Sequence, residues 1–247
     1  MVDMSVAVFD IDNTLVRGAT LMPATTALVR EGLVDLSVLP RALFEQLKFR
    51  ATSAEPEVGG ILERCLQAVA GVAVVDIEDV FNRVAQRIAE RSVHRGTLDI
   101  AKAHLLAGHE VWLATAGPSA LAERLASVLG FTGAVGTQVD IADGLCTGKL
   151  AGPLIHGGQK ASAIADLARS RGWSLSSISA YSDSMNDRPL LELVGDPHAV
   201  NPDRGLRKLA RQEGWPVHDT SNRRVVLRTA GFALLAGGLL STQRRQG

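Results

Sequence analysis

Apolar positions along this chain follow two different periods, and the change from one to the other divides it. Val6, Ala7, Val8 and Phe9 run without a polar break, the pattern of a strand that buries both faces in a parallel sheet. That run ends on two carboxylates, Asp10 and Asp12, in "VAVFDIDNTL". From Thr20 to about Val93 the apolar residues fall at helical spacing, as in "PRALFEQLKFRA" and "DIEDVFNRVAQRIAERSV", which predicts a helical insertion without a convincing strand. Between Gly96 and Asp219 helix and strand patterns alternate. Helix "LDIAKAHLLAGH", strand "EVWLATAG" and helix "SALAERLASVLG" come first, then short extended pieces "GAVGTQVDI" and "LCTGKLAG" around the turn "ADG". Helix "QKASAIADLARSRG", strand "SISAYSDS", helix "RPLLELVG", strand "HAVNPD" and helix "RGLRKLARQEG" continue the rhythm, which implies a parallel sheet flanked by helices.

Composition narrows the possibilities. A chain of 247 residues, 46% hydrophobic, can bury a large α/β core carrying an insertion. Lys plus Arg and Asp plus Glu both number 26, so no net field attracts nucleic acid or another polyanion. Cys65 and Cys146 lie far apart with no CxxC pattern; this suits a reducing compartment and offers no zinc site. The first residues show no basic region followed by an apolar stretch, so no secretory signal is expected and the location is read as cytoplasmic.

In sheets of this kind ligands bind beyond the carboxyl ends of the strands. The polar residues at such ends or the turns near them are Asp10 and Asp12, Thr115 after "VWLA", Lys160 at the start of the "QKASAI" helix, and Asp183 with Asp187 in "YSDSMNDRPLL". Each alone also fits a structural job. Asp183 suits an Asx turn, Asp187 an N-cap before Pro189, Thr115 a turn, and Lys160 a solvated helix face. The pair Asp10 and Asp12 is harder to explain in that way, because neighbouring carboxylates repel unless a cation or a proton lies between them.

A divalent cation makes the set coherent. Mg²⁺ takes one or two carboxylates together with waters and substrate phosphate, and Asp10, Asp183 and Asp187 supply the charge. The free oxygen of Asp10 could then attack phosphorus to give an aspartyl-phosphate. Asp12 could protonate the leaving alkoxide and later deprotonate the hydrolytic water. Thr115 and Lys160 would hold the phosphoryl oxygens.

"DIDNTL", the strand ending at Thr115, Lys160 opening a helix, and "DSMND" stand in the order and approximate spacing of the four motifs of the haloacid dehalogenase (HAD) superfamily. The chain resembles that family from about Ser5 to Asp219. The resemblance implies a Rossmann-like core, residues 1–18 and 94–219, with a helical C1 cap at 19–93, and "YSDSMNDRPLLELVGDPHAVNPD" is similar to subclass IB, which includes phosphoserine phosphatases. It further implies that Asp10 is the nucleophile, Asp12 the acid/base, and Thr115, Ala116 and Lys160 the phosphate-binding residues. Asp10, Asp183 and Asp187, with the carbonyl of Asp12, would form the Mg²⁺ site. An aspartate at Asp12 is the mark of phosphatases in the family rather than dehalogenases. Two departures bear on substrate: phosphoserine phosphatases carry a glutamate nine positions beyond the nucleophile, where this chain has Ala19, and Ser-Gly-Gly where it has "TAGP". An ammonium group would lose its expected partner.

The resulting expectation is a Mg²⁺-dependent phosphomonoester hydrolase acting on a small metabolite or a lipid head group. A phosphotransferase using an alcohol acceptor and a true phosphoserine phosphatase are the alternatives. A non-catalytic receiver is disfavoured by Asp12, and no nucleic-acid partner is expected. Lys48 and Arg50 could face the site, although a solvated helix face is the favoured reading. His104, His109, His156 and His198 show no metal spacing and receive no role. The tail from 220 to 247 contains the apolar run "VVLRTAGFALLAGGLL", flanked by Arg223 and Arg224 before it and Arg244 and Arg245 after it. It is shorter than the roughly 20 residues that cross a bilayer. It suits either peripheral contact with anionic lipid or packing against the core or a second copy.

Overall fold

In a computed structural model of the protein, residues 5–35 and 65–220 are described. The helical pattern at 40–51, with Lys48 and Arg50, and the tail beyond 220 lie outside them. The strands are β1 (Val6–Asp10), β2 (Glu110–Pro118), β3 (Gly133–Thr137), β4 (Val139–Ala142), β5 (Leu145–Leu150), β6 (Ile178–Ser182), β7 (Asp196–Val200) and β8 (Val217–His218). The helices are α1 (Leu21–Arg30), α2 (Val74–Arg91), α3 (Arg95–Leu106), α4 (Ser119–Leu129), α5 (Gly158–Arg171), α6 (Arg188–Leu193) and α7 (Arg204–Glu213). The elements expected between Gly96 and Asp219 all form, with bounds shifted by a few residues. The two-residue β8 is the addition, too short to leave a periodic signal.

Six strands form one parallel sheet in the order β3-β2-β1-β6-β7-β8. This is the α/β arrangement that the resemblance implies, with β1 inside the sheet. All five β1 residues are buried because helices cover both faces. Ala7 and Phe9 pack toward α2, α3 and α4, whereas Val6 and Val8 pack toward α5, α6 and α7. The register matters most for function. Asp10 pairs with Ala114 of β2 and Phe9 with Tyr181 of β6, so Asp10, Thr115 and Asp183 emerge at the carboxyl ends of three adjacent strands.

The "ADG" turn closes the antiparallel hairpin β4–β5. Asp143 and Gly144 both take positive φ, 51° and 77°, as the two central positions of a type I′ turn require. The hairpin is tied to the start of α2 by Val74 N–H donating to the Gly144 carbonyl at 2.9 Å and Cys146 N–H donating to the Val72 carbonyl at 2.9 Å.

Candidate active site

Lys160 is the hub. It lies in the first turn of α5, where the helix dipole disfavours a cation, and it is 3% exposed. Two carboxylates offset that cost: Nζ donates to Asp10 Oδ1 at 2.8 Å and to Asp187 Oδ2 at 2.8 Å. Burial works against the charge on Lys160, but Asp10 and Asp187 outweigh it and hold the ammonium above its ordinary pKa. A solvated helix lysine is therefore not what stands here.

Asp187 stands at the N-cap position of α6. Its carboxylate makes no cap bond to α6. Its Oδ2 accepts from Lys160 and from Ser182 Oγ at 2.7 Å, which leaves Oδ1 for a water or a metal ion. Its position fixes the lysine. Asp183 is held from the other side of the strand end, with Oδ1 accepting from Thr14 Oγ1 at 3.0 Å while its own N–H donates to Thr14 Oγ1 at 2.9 Å. Thr14 is placed by the loop after β1, in which Asn13 takes φ 62° and its N–H donates to the Gly18 carbonyl at 3.2 Å.

Asp12 is oriented by a residue without a motif. Its Oδ1 accepts from both the N–H and the hydroxyl of Thr20, each at 2.8 Å, which leaves Oδ2 for other partners. Burial pushes the Asp12 carboxyl up and the two Thr20 bonds pull it back. Thr115 is buried, and its Oγ1 accepts from the Gly117 N–H at 3.0 Å. A Cβ on Gly117 would stand 3.4 Å from Thr115 Oγ1 and 4.0 Å from Thr20 Oγ1, so the strand-end hydroxyl and the Asp12–Thr20 pair meet around this glycine. Ala116 has only its backbone to offer a phosphate, and its carbonyl is fixed by Thr137 Oγ1 at 2.8 Å. Thus Asp10, Lys160 and Asp187 are in direct contact, and Asp12, Thr115 and Asp183 surround them on adjacent strand ends. Thr14, Thr20 and Ser182 are the additions. A lone hydroxyl carries no spacing signal, although Thr14 does fall inside "DIDNTL".

The charge balance of this site is lopsided. Burial, more than the neighbouring charges of Asp187 and Asp12, pushes Asp10 up to about 7 against the pull of Lys160. Burial and the charge of Asp10 push Asp183 up to about 8. Four carboxylates, Asp10, Asp12, Asp183 and Asp187, gather with one ammonium, which bonds two of them. Among the described residues no three His, Cys, Asp or Glu side chains form a preformed metal cage. Mg²⁺ does not require one, because it keeps several waters and takes one or two carboxylates plus phosphate oxygens. Asp10 and Asp183, hard oxygen donors whose charges are felt by one another, fit that ion. Beside the site an apolar cavity of about 250 Å³ is lined by Leu21, Phe81, Pro118 and Ser119 among others.

The sequence model of the haloacid dehalogenase-like hydrolases matches residues 7–192, from β1 through α6. The chain belongs to this family. It is 37% identical to phosphoserine phosphatase SerB1 of Mycobacterium tuberculosis over 97% of this chain and 80% of that protein. A Bordetella pertussis protein of unknown function superposes with a TM-score of 0.76 at 28% identity, covering 88% of this chain and 99% of the other. A substrate-bound phosphoserine phosphatase shares the fold, with a TM-score of 0.65 at 17% identity over 92% of this chain and 98% of that one. Together these make the chain a HAD-family phosphatase.

Proposed function

We propose that this phosphatase hydrolyses a small phosphate monoester through an aspartyl-phosphate on Asp10. The observation that carries the reading is the buried contact of Lys160 with both Asp10 and Asp187, beside an Asp12 whose one oxygen is fixed by Thr20. Asp10 attacks phosphorus with one carboxylate oxygen, and the P–O bond to the leaving alcohol breaks. Asp12, which burial makes easier to protonate, gives its proton to the departing oxygen; as the carboxylate it then takes a proton from the water that cleaves the acyl-phosphate. Lys160 and the hydroxyl of Thr115 offset charge on the phosphoryl oxygens as it develops. Mg²⁺ held by Asp10, Asp183 and the Asp12 carbonyl would supply a fixed positive charge for the same oxygens. Asp187 and Ser182 act through Lys160, holding it in place.

A second reading, phosphoserine as the substrate, is favoured by the name of the 37%-identical relative. Ala19 speaks against it. It directly precedes Thr20 at the site and brings no carboxylate for an ammonium. The test is phosphate release from a panel holding phosphoserine, histidinol phosphate, sugar phosphates, glycerol phosphate and lysophosphatidate, with and without Mg²⁺. The expected result is Mg²⁺-dependent hydrolysis with another ester preferred to phosphoserine. A kcat/KM for phosphoserine above every other ester would establish the second reading, and no phosphate release from any ester would remove both. Added alcohols that divert phosphate from water would identify a phosphotransferase instead.

A further inference from the structure

We propose that the exposed face of α7 is a docking surface for anionic membrane. The inference goes beyond the hydrolytic site and does not depend on it. Helix α7 buries Leu206, Leu209 and Ala210 in the core, and its opposite face carries Arg204, Arg207, Lys208 and Arg211 at the i, i+3, i+4, i+7 spacing that puts them on one side. These four and Gln212 line a shallow open groove. Arg207 pairs with Asp219, Nη2 to Oδ1 at 2.6 Å, while among the described residues no ion pair holds Arg204, Lys208 or Arg211. In a chain with 26 cations and 26 anions, one helix face has gathered an excess of one sign.

What this face would meet is indicated by where the chain goes next. The Arg207–Asp219 pair places residue 219 against α7. Arg223 and Arg224 are four and five residues further on, so whatever their conformation they stay within roughly 14 and 18 Å of residue 219 at the maximum reach of an extended chain. After them the sequence runs into "VVLRTAGFALLAGGLL", and no acid follows Asp219. Four cations on the folded face thus stand a short chain length before a basic-flanked apolar run. A nucleic acid would use the charge but not the apolar run, whereas an anionic bilayer uses both. The surface also adjoins the catalytic loop: the α7 N-cap Asp203 accepts from the Met185 N–H at 2.8 Å, and its own N–H donates to the Asp183 carbonyl at 2.8 Å.

The test is co-sedimentation of the full chain with vesicles of phosphatidylcholine alone and of phosphatidylcholine with about one third phosphatidylserine. It is repeated for the triple variant Arg204→Glu, Lys208→Glu, Arg211→Glu, which leaves the Arg207–Asp219 pair intact. Binding to the anionic vesicles alone is expected, with loss in high salt because exposed charges are screened. The triple variant should bind on the order of a hundred-fold more weakly, at about five-fold or more per cation. Its hydrolysis of a soluble aryl phosphate and its melting temperature should match the parent, which separates lost docking from lost folding. A triple variant that binds like the parent would overturn the role of α7, and so would equal binding to both vesicle types or tighter binding to single-stranded RNA than to anionic vesicles.

Discussion

Two polar clusters sit on the same sheet, one residue apart along the same strands, and they are built in opposite ways. At the carboxyl ends, Asp10 and Asp187 bond Lys160 with Asp183 on the next strand end, and burial lifts Asp10 and Asp183 far above ordinary carboxylates. Immediately behind them lies Tyr181, stacked on Phe9 with ring centroids 4.3 Å apart and on His198 at 4.5 Å. Around it, His104 bonds the Tyr181 hydroxyl at 2.8 Å and His109 at 2.9 Å, while His198 bonds His218 at 3.1 Å and Asp196 at 2.9 Å. The aromatic cluster closes its hydrogen bonds among its own members. The catalytic cluster keeps an excess of negative charge that only a cation, a proton or a substrate's chemistry can resolve. A buried polar group that is fully partnered supports the fold; one held in an unresolved charge state is equipped for chemistry.

The largest break in this comparison is Asp10→Asn, which keeps the volume and removes the nucleophile. Turnover should fall on the order of 10³-fold or more, with the melting temperature unchanged or raised because one carboxylate leaves the crowded site. Initial rates and a thermal melt check both. Lys160→Met should come next. It fills the same space without the charge, and kcat should drop by roughly 10²–10³-fold, while the carboxylates around it become still easier to protonate. A kcat within a few-fold of the parent would mean that Lys160 only holds the loop together.

Thr20→Val sharpens the picture on a smaller scale. The Thr20 N–H still reaches Asp12, but the hydroxyl bond is gone, and the loss of one bond to a carboxylate, about 1.5 kcal/mol, corresponds to roughly a ten-fold lower kcat. KM should hardly move, and the limb of the pH–rate profile that reports Asp12 should shift upward, since Thr20 pulls its pKa down.

The two clusters also answer to pH with opposite sign when no divalent metal is added. Asp10 and Asp183 bind protons more tightly folded than unfolded. Their contribution to stability is full below about 3.8 and is lost as pH rises through about 7 and about 8. His104 and His218 are held below the ordinary histidine value, by burial first and by neighbouring histidine charge second. Their contribution is full above about 6.5 and is lost as pH falls below it. Asp183→Asn should therefore raise the metal-free melting temperature at pH 8.5 by a few degrees, on the scale of about 2–4 °C per kcal/mol, and by clearly less at pH 5. His104→Gln should do the reverse. Thermal melts across the range, with and without Mg²⁺, check both signs; Mg²⁺ should erase the alkaline loss in the parent and not in Asp183→Asn.

Much of this site was legible in the sequence, for a physical reason. A strand that must bury both faces announces its end by its first charges, and a phosphoryl-transfer site needs particular residue types at such ends, so Asp10, Asp12, Thr115, Lys160 and Asp183 stood out although up to 173 positions separate them. Asp187 was legible as a member but not in its bond to Lys160, because which carboxylate turns toward Lys160 is decided by Ser182 and the packing of β6. Thr20 could not be found, since its hydroxyl matters only once the chain turns back over Asp12. The aromatic cluster was invisible for a topological reason. His104, His109, His198 and His218 follow no spacing along the chain and meet only because the strand order lays β7 and β8 beside β6 and because α3 packs against β1.

The central claim is that Asp10 becomes covalently phosphorylated. Rapid acid quenching of the Mg²⁺-loaded phosphatase during turnover of its preferred ester, followed by peptide mass mapping, tests it directly. The account predicts a phosphoryl adduct on the peptide holding Asp10, absent from Asp10→Asn and accumulating in a variant such as Asp12→Asn that is slow to hydrolyse it. An adduct on another residue, or phosphate release with inversion at phosphorus and no adduct at any quench time, would contradict it.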